Sequence, residues 1–407
     1  MTKSLVLTVL PSALRDPSGE IRESFRDVLA IAQRAERAGA DGFFLADSLA
    51  FDVSFSRHNR FEPLTLAAGV LAHTERISVI ATLSTTFTHP FHIARYLSSL
   101  SYIGNGRIGA NLVTSFDGEK NFGLTELPDP AERYARADDF IDVIQQLWGS
   151  WGPYSDAWAN INFSSEHFTV EGPLSIKPYP GKLLVGQSGS SPPGIDLAAR
   201  VGDFVFTAAQ VDHVLRHYTE ALTKRCTDLR MDGKRPTILS GLAPIIGETP
   251  EQAREHERVI MGALSFEVQL DRLEEVLGDI DLSDVDPGDT FPRERLLPIE
   301  MVGRRQGRAA SIYGLIEKND LSLAEVVRSQ NKSNGHRTVV GTADGVADEI
   351  VRIANTGLTD GFIILLPKYT ELADKVFDEL FPRLEHRGYL VPAGDAESTR
   401  SRFLPRS

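Results

Sequence analysis

The chain has 407 residues, 42% of them hydrophobic and 24% charged, ordinary globular usage that argues against both disorder and a disulfide scaffold. A formal net charge of -13 argues against a broad nucleic-acid or anionic-membrane surface, because phosphate recognition needs clustered Lys and Arg; an anionic small molecule held locally is still compatible. The single cysteine, Cys226, cannot form an intrachain bridge, and no apolar run reaches the roughly eighteen residues of a membrane span, so a soluble protein of the reducing cytoplasm is expected.

At the N-terminus LVLTVL (5–10) reads as a strand and is too short for a signal segment. Phe25, Val28, Leu29 and Ala32 then recur at helical spacing, and Gly39 stops that helix. GFFLA (42–46) follows, then a helix with Leu64, Ala67, Ala68 and Leu71 on one face, and ISVIATL (77–83). A helix carrying Ile93, Leu97 and Leu100 leads to RIGANLV (107–113). The longest periodic segment, AERYARADDFIDVIQQLWGSW, repeats Tyr134, Ala137, Ile141, Ile144, Trp148 and Trp151 in steps of three and four. Residues 155–181 alternate and carry Gly-Pro breaks, which predicts a β-hairpin excursion.

The rhythm resumes with KLLVGQ (182–187), a helix over 195–201, DFVFTA (203–208), a helix near 211–230 and TILSGLAPIIG (237–247). TKRCTDLR, around Cys226, reads as a solvated helix and makes that thiol a poor nucleophile. Residues 262–335 are charged and break the pattern, either as a lid inserted between the seventh and eighth strands or as a solvated excursion. A last helix and the strand at 361–366 complete the series, giving one domain over 1–395 and a flexible C-terminal tail at 396–407. Strands near 5, 43, 78, 108, 183, 204, 238 and 362, separated by helices, call for parallel pairing and a closed (β/α)8 TIM barrel with insertions.

In such a barrel the polar residues ending each strand face the active-site mouth. Asn111, Thr114 and Ser115 end the fourth strand, Ala46, Asp47 and Ser48 the second, and Thr82 to Thr86 the third. Each alone also suits a turn or helix cap; their convergence on one face is the stronger argument. After the fifth strand, GQSGSSPPGIDLAA sets Gly189, Ser190 and Ser191 before a helix, where exposed N–H groups and hydroxyls make a site for a single phosphate, or else form a plain Gly-Ser turn. Neither G-x-G-x-x-G nor Walker A spacing is met, and G-x-S-x-G is absent. His89-Pro-Phe-His92 is broken by proline and His213-xxx-His217 lacks a glutamate, so no metal site is expected.

The run RIGANLVTSFDGEKNFGLTELPDPAERYARADDFIDVIQQLWGSW resembles the nitrilotriacetate monooxygenase branch of the bacterial-luciferase-like flavin monooxygenases, a branch that includes the pristinamycin synthase and dibenzothiophene sulfone monooxygenases. FFLADSL, RFEPLTLAAGVLAHTERISVIATLSTTFTHPFHIAR, EHFTVEGPLSI, LLVGQSGSSPPGIDLAAR and VVGTADGVADEI extend the resemblance over most of residues 40–390, in the family's order. It implies a barrel, dimeric or tetrameric, that takes reduced FMN from a separate NAD(P)H:flavin reductase. With O2 as co-substrate, a flavin C4a-(hydro)peroxide would place one oxygen on a small organic substrate.

By the same resemblance, Ala46, Asp47 and Thr82 lie by the isoalloxazine, and Asn111 borders it. Tyr134, in ERYxRAD, offers its hydroxyl to the FMN phosphate, while Gly189, Ser190 and Ser191 bind that phosphate through backbone N–H groups. Asn111, Thr114 and Ser115 are the expected catalytic hydrogen-bonding groups. Two departures stand out: Ala110 replaces a usual tryptophan, implying more room beside the flavin, and the loop after LADSLAFD is short. A deazaflavin-dependent oxidoreductase of the same fold and a catalytically silent flavin-binding barrel are the rival readings.

Overall fold

The computed structural model describes residues 4–16, 18–50, 61–152, 155–230, 232–262, 264–302, 306–333 and 335–406; the shortened loop after LADSLAFD falls outside them. Eight parallel strands form a ring: β1 (Val6–Leu10), β2 (Gly42–Leu45), β3 (Ser78–Ser84), β4 (Ile108–Val113), β5 (Leu184–Gln187), β6 (Phe204–Thr207), β7 (Thr237–Ile246) and β8 (Gly361–Leu365). Each pairs with its neighbours in sequence order, β6 joins β7, and β8 returns to β1. Every strand anticipated from the sequence is present.

Strand alternation divides the side chains into two shells. Val6, Phe44, Ile80, Leu184, Phe204, Leu239 and Ile363 fill the barrel interior. Leu7, Val9, Phe43, Val79, Leu112, Val185 and Ile364 point outward against the helices. Those helices are α1 (Phe25–Arg37), α2 (Pro63–Ala72), α3 (Pro90–Ile103), α4 (Pro130–Trp148), α5 (Pro192–Val201), α6 (Asp212–Leu229) and α7 (Pro250–Met261). Cys226 corrects the reading of its helix: it sits on the buried face of α6 against Val205, Leu222 and Ile238, and burial pushes its thiol pKa up. Among the described residues no helix is long and apolar enough to cross a membrane.

The floor of the barrel corrects the expected flexible tail. Residues 396–401 are helical, and Phe403 is fully buried among the interior residues, its ring centroid 5.5 Å from that of Phe204. The chain near Arg406 pairs with Arg235 through two backbone hydrogen bonds of 2.8 and 2.9 Å. Three buried aspartates stand just before β2, β6 and β8. Asp41, Asp203 and Asp360 accept the backbone N–H groups of Leu7, Val185 and Ile238. Each also meets a cation: Arg402 for Asp41, Lys182 for Asp203 and Arg235 for Asp360. Of these cations Arg402 belongs to the tail, and Arg406 of the tail lies 3.9 Å from Asp360, so two of the buried carboxylates draw the tail onto the barrel floor.

After α7, α8 (Phe266–Val276), α9 (Gln306–Glu317) and α10 (Leu323–Ser333) build a separate small core around Leu273, Val302, Ile312 and Val326. The insertion returns through a ninth strand, Arg337–Gly341, paired in parallel with residues 242–246 of β7, which the sequence reading did not anticipate. α11 (Ala343–Asn355) then leads into β8. The hairpin after α4 is a small pairing of residues 163–164 with 169–170.

Candidate active site

Strand alternation carries Thr82, Ser84 and Asn111 to the interior at the end where the strands terminate. Asn111 is 3% exposed. Its Nδ2 donates to Thr82 Oγ1 at 3.1 Å, and Ser188 Oγ donates to its Oδ1 at 2.8 Å. One amide therefore links the ends of β3, β4 and β5. Asp47, Ser48, Thr82, Ser84 and Ser115 border one cleft at this mouth. Ala46 is exposed at the rim, and Asp47 Oδ1 accepts the N–H of Ser48 at 2.9 Å.

Ser115 takes a left-handed backbone conformation, φ 53°, uncommon for a residue with a side chain. Its Oγ donates to Ser84 Oγ at 2.7 Å, and its carbonyl accepts from buried Arg133. The Thr114 carbonyl accepts from Thr86 Oγ1 at 2.6 Å. The loop after β4 is thus tied to β3 on one side and to α4 on the other.

On α4, the residue after Arg133 is Tyr134. Its hydroxyl oxygen accepts from Ser191 Oγ at 3.2 Å, across 57 positions of sequence. Ser191 caps α5, accepting the Gly194 N–H at 3.4 Å. Glycine is required around this contact: a Cβ on Gly189 would stand 2.7 Å from Tyr134 Oη, and one on Gly194 would stand 2.8 Å from it. Gly307, at the start of α9, lies so close to Ser190 that a Cβ there would meet Ser190 Cβ at 2.8 Å. The insertion therefore rests on this loop, and it is further tied through Ser311 Oγ, which accepts from Gln210 N at 3.2 Å.

Ala110 corrects one inference. It alternates with Asn111, is fully buried, and packs outward with the helix-facing shell, so its small size adds no room at the mouth. The histidine pairs have local partners: His89 Nδ1 accepts the N–H of Phe91 at 3.3 Å, and His213 Nε2 lies 2.8 Å from the Gly314 carbonyl oxygen. Among the described residues no group of three or more His, Cys, Asp or Glu is placed to hold a metal.

Ser84 lies at the mouth as expected for the end of the third strand, whereas sequence reasoning missed Ser188, Phe206 and His336. The signal for Ser188 was parity: it is two residues beyond the inward Gly186. Phe206 reads as ordinary core. His336 comes from the end of the insertion, so no strand pattern pointed to it.

The closed barrel with hydrogen-bonding groups at its mouth defines an α/β enzyme scaffold, and comparison with known proteins defines which. The luciferase-like monooxygenase family profile matches residues 4–360. N-acetyl-S-(2-succino)cysteine monooxygenase of Bacillus subtilis (strain 168) is 31% identical over 401 residues, spanning 92% of this chain and 88% of that protein. Nitrilotriacetate monooxygenase component A of Aminobacter aminovorans is 32% identical over 388 residues, spanning 88% and 85%. The EDTA monooxygenase (EmoA) structure from Chelativorans sp. BNC1 superposes with a TM-score of 0.77 at 25% identity, covering 98% of each chain. The chain belongs to the luciferase-like monooxygenase family, and is a flavin-dependent monooxygenase of its nitrilotriacetate monooxygenase branch.

Proposed function

We propose that the barrel mouth holds FMN, received in reduced form from a separate NAD(P)H:flavin reductase, and uses O2 to oxygenate a small organic substrate. The observation that carries this reading is the meeting of Tyr134 and Ser191 over Gly189 and Gly194. A hydroxyl pair, a helix N-terminus and a surface without Cβ atoms suit a single phosphate, the group that distinguishes FMN from riboflavin. FMN would supply the redox chemistry with O2.

The chain's own residues supply position and exclusion of water. Tyr134, Ser190 and Ser191 hold the phosphate, while Gly189, whose N–H donates to Gln187 Oε1 at 2.7 Å, leaves room for the Tyr134 hydroxyl beside it. Ala46, Asp47 and Thr82 flank the ring. Asn111, already fixed by Thr82 and Ser188, presents an oriented amide to the ring's polar edge. Thr114 and Ser115 contribute hydrogen bonds from a loop held still by Arg133. The insertion, resting on Ser190 through Gly307, covers the mouth and limits solvent.

The nitrilotriacetate relative is a component A, which favours a two-component arrangement here. A homodimer or homotetramer in the cytoplasm fits the family resemblance and the lone, buried Cys226. The test is turnover under 18O2 with FMN, NADH and a flavin reductase over a panel of organic acids, sulfones and amines. One 18O atom in a product supports the reading. Flavin binding without any oxygenated product argues for a silent barrel, and turnover only with a deazaflavin argues for hydride transfer.

A further inference from the structure

His336, at the end of the insertion, places its ring against Phe206 of β6 and Gly241 of β7. It is 9% exposed and stacks on Phe206, with ring centroids 4.9 Å apart and planes 5° from parallel. It occupies the space over Gly241, where any Cβ would collide with its Nδ1. Gly241 is an inward position of β7, two residues beyond Leu239. In a ring of eight strands β7 stands opposite β3, so the His336–Phe206 pair faces the Thr82–Asn111 wall across the mouth. The two walls differ: one is polar amide and hydroxyl, the other a flat aromatic pair.

Nδ1 of His336 is buried without a hydrogen-bond partner. A neutral imidazole carries one proton, and orphaned buried N–H donors are rarer than orphaned acceptors. The proton therefore sits on Nε2, leaving the bare lone pair of Nδ1 against Gly241. Burial pushes the pKa of this histidine down to about 3, and the nearby Arg308 charge pushes the same way, so the ring stays neutral at working pH. Arg308, on α9, also packs its stem within 3.8 Å of a Cβ built on Gly335.

We propose that the His336–Phe206 face is the substrate side of the mouth, and that Nε2–H of His336 receives a carboxylate oxygen of an organic-acid substrate, with the Arg308 charge behind it. A fixed donor selects an acceptor, and an adjacent cation selects an anionic one. The inference rests on the flavin lying against the opposite wall.

The experiment records the imidazole nitrogens of 15N-histidine-labelled full-length protein saturated with FMN, using His336→Phe to assign the resonances. Succinate is the probe and succinamide its neutral counterpart. Expected are a protonated Nε2 with a bare Nδ1, no titration between pH 5 and 9, and a His336 shift with succinate but not with succinamide. Arg308→Gln should weaken the succinate response by about tenfold. A protonated Nδ1, a ring unmoved by succinate, or equal responses to the two probes would overturn the inference. Flavin fluorescence quenching run in parallel separates the two failures: FMN that binds wild type and His336→Phe alike leaves the flavin reading intact, whereas FMN that never binds defeats that reading instead.

Discussion

Tyr134 Oη lies 3.2 Å from Ser191 Oγ, joining the second turn of α4 to the cap of α5 at the mouth of the barrel. The contact is possible because Gly189 and Gly194 remove the side chains that would fill it. Gly189→Ala should therefore block the cradle. The expected result is an FMN dissociation constant raised about tenfold or more, with riboflavin affinity little changed and the melting temperature lowered, because the new Cβ would also stand 3.0 Å from Gly194 Cα. Flavin fluorescence titration and a thermal melt check both parts.

Asn111 is the amide that spans β3 to β5, and its orientation is set before any ligand arrives. Alanine there removes a donor and an acceptor and strands Ser188 and Thr82. Asn111→Ala should increase the fraction of consumed O2 released as H2O2, measured by coupled peroxidase assay against product. Unchanged coupling together with unchanged flavin affinity would remove this residue from the mechanism.

His336 makes stability depend on pH in a calculable direction. Its folded pKa, about 3, lies below the ordinary 6.5, so between these values the unfolded chain binds a proton that the folded chain does not. Its contribution is complete above about pH 6.5 and is lost as pH falls toward 3, at up to about 1.4 kcal/mol per pH unit. Urea unfolding at pH 7, 6 and 5 should show that slope, and His336→Phe should flatten it by close to one proton. An identical slope in the variant would mean the imidazole is charged in the native state.

Phe403 closes the barrel floor, fully buried against Phe204 and beneath Gly42. Phe403→Ala should cost about 3–5 kcal/mol, because the rigid barrel cannot collapse into the space left. Chemical denaturation measures it; a loss under about 1 kcal/mol would show that the tail is dispensable.

Much of this architecture was legible because eight apolar runs, each followed by a helical stripe, admit few arrangements other than a parallel ring. The mouth was legible in part for the same reason: a polar residue that ends a buried strand, as Asn111 does, turns to the interior, whereas Thr114 has the parity of the outward Leu112 and is not among the residues bordering the cleft. The ninth strand was not legible, since only Val339 and Val340 mark it within Arg337–Gly341 and it is half-exposed. The tail escaped because Phe403 and Leu404 sit among arginines and look solvated. What helps to order them is a pair of buried aspartates far away in sequence, Asp41 with Arg402 and Asp360 with Arg406, each just ahead of an apolar strand, a recurrence that pairwise spacing does not reveal. His336 escaped because its place depends on Gly241 and Phe206, which local pattern cannot connect to it.

The most direct measurement of the central claim compares FMN with riboflavin on wild type and on a Tyr134→Phe, Ser191→Ala double variant. Wild type should bind FMN roughly a hundredfold more tightly than riboflavin, as two or more charge-assisted hydrogen bonds to phosphate allow, and the double variant should lose most of that preference. Equal affinities for the two flavins on wild type, or a preference that survives both substitutions, would contradict the account.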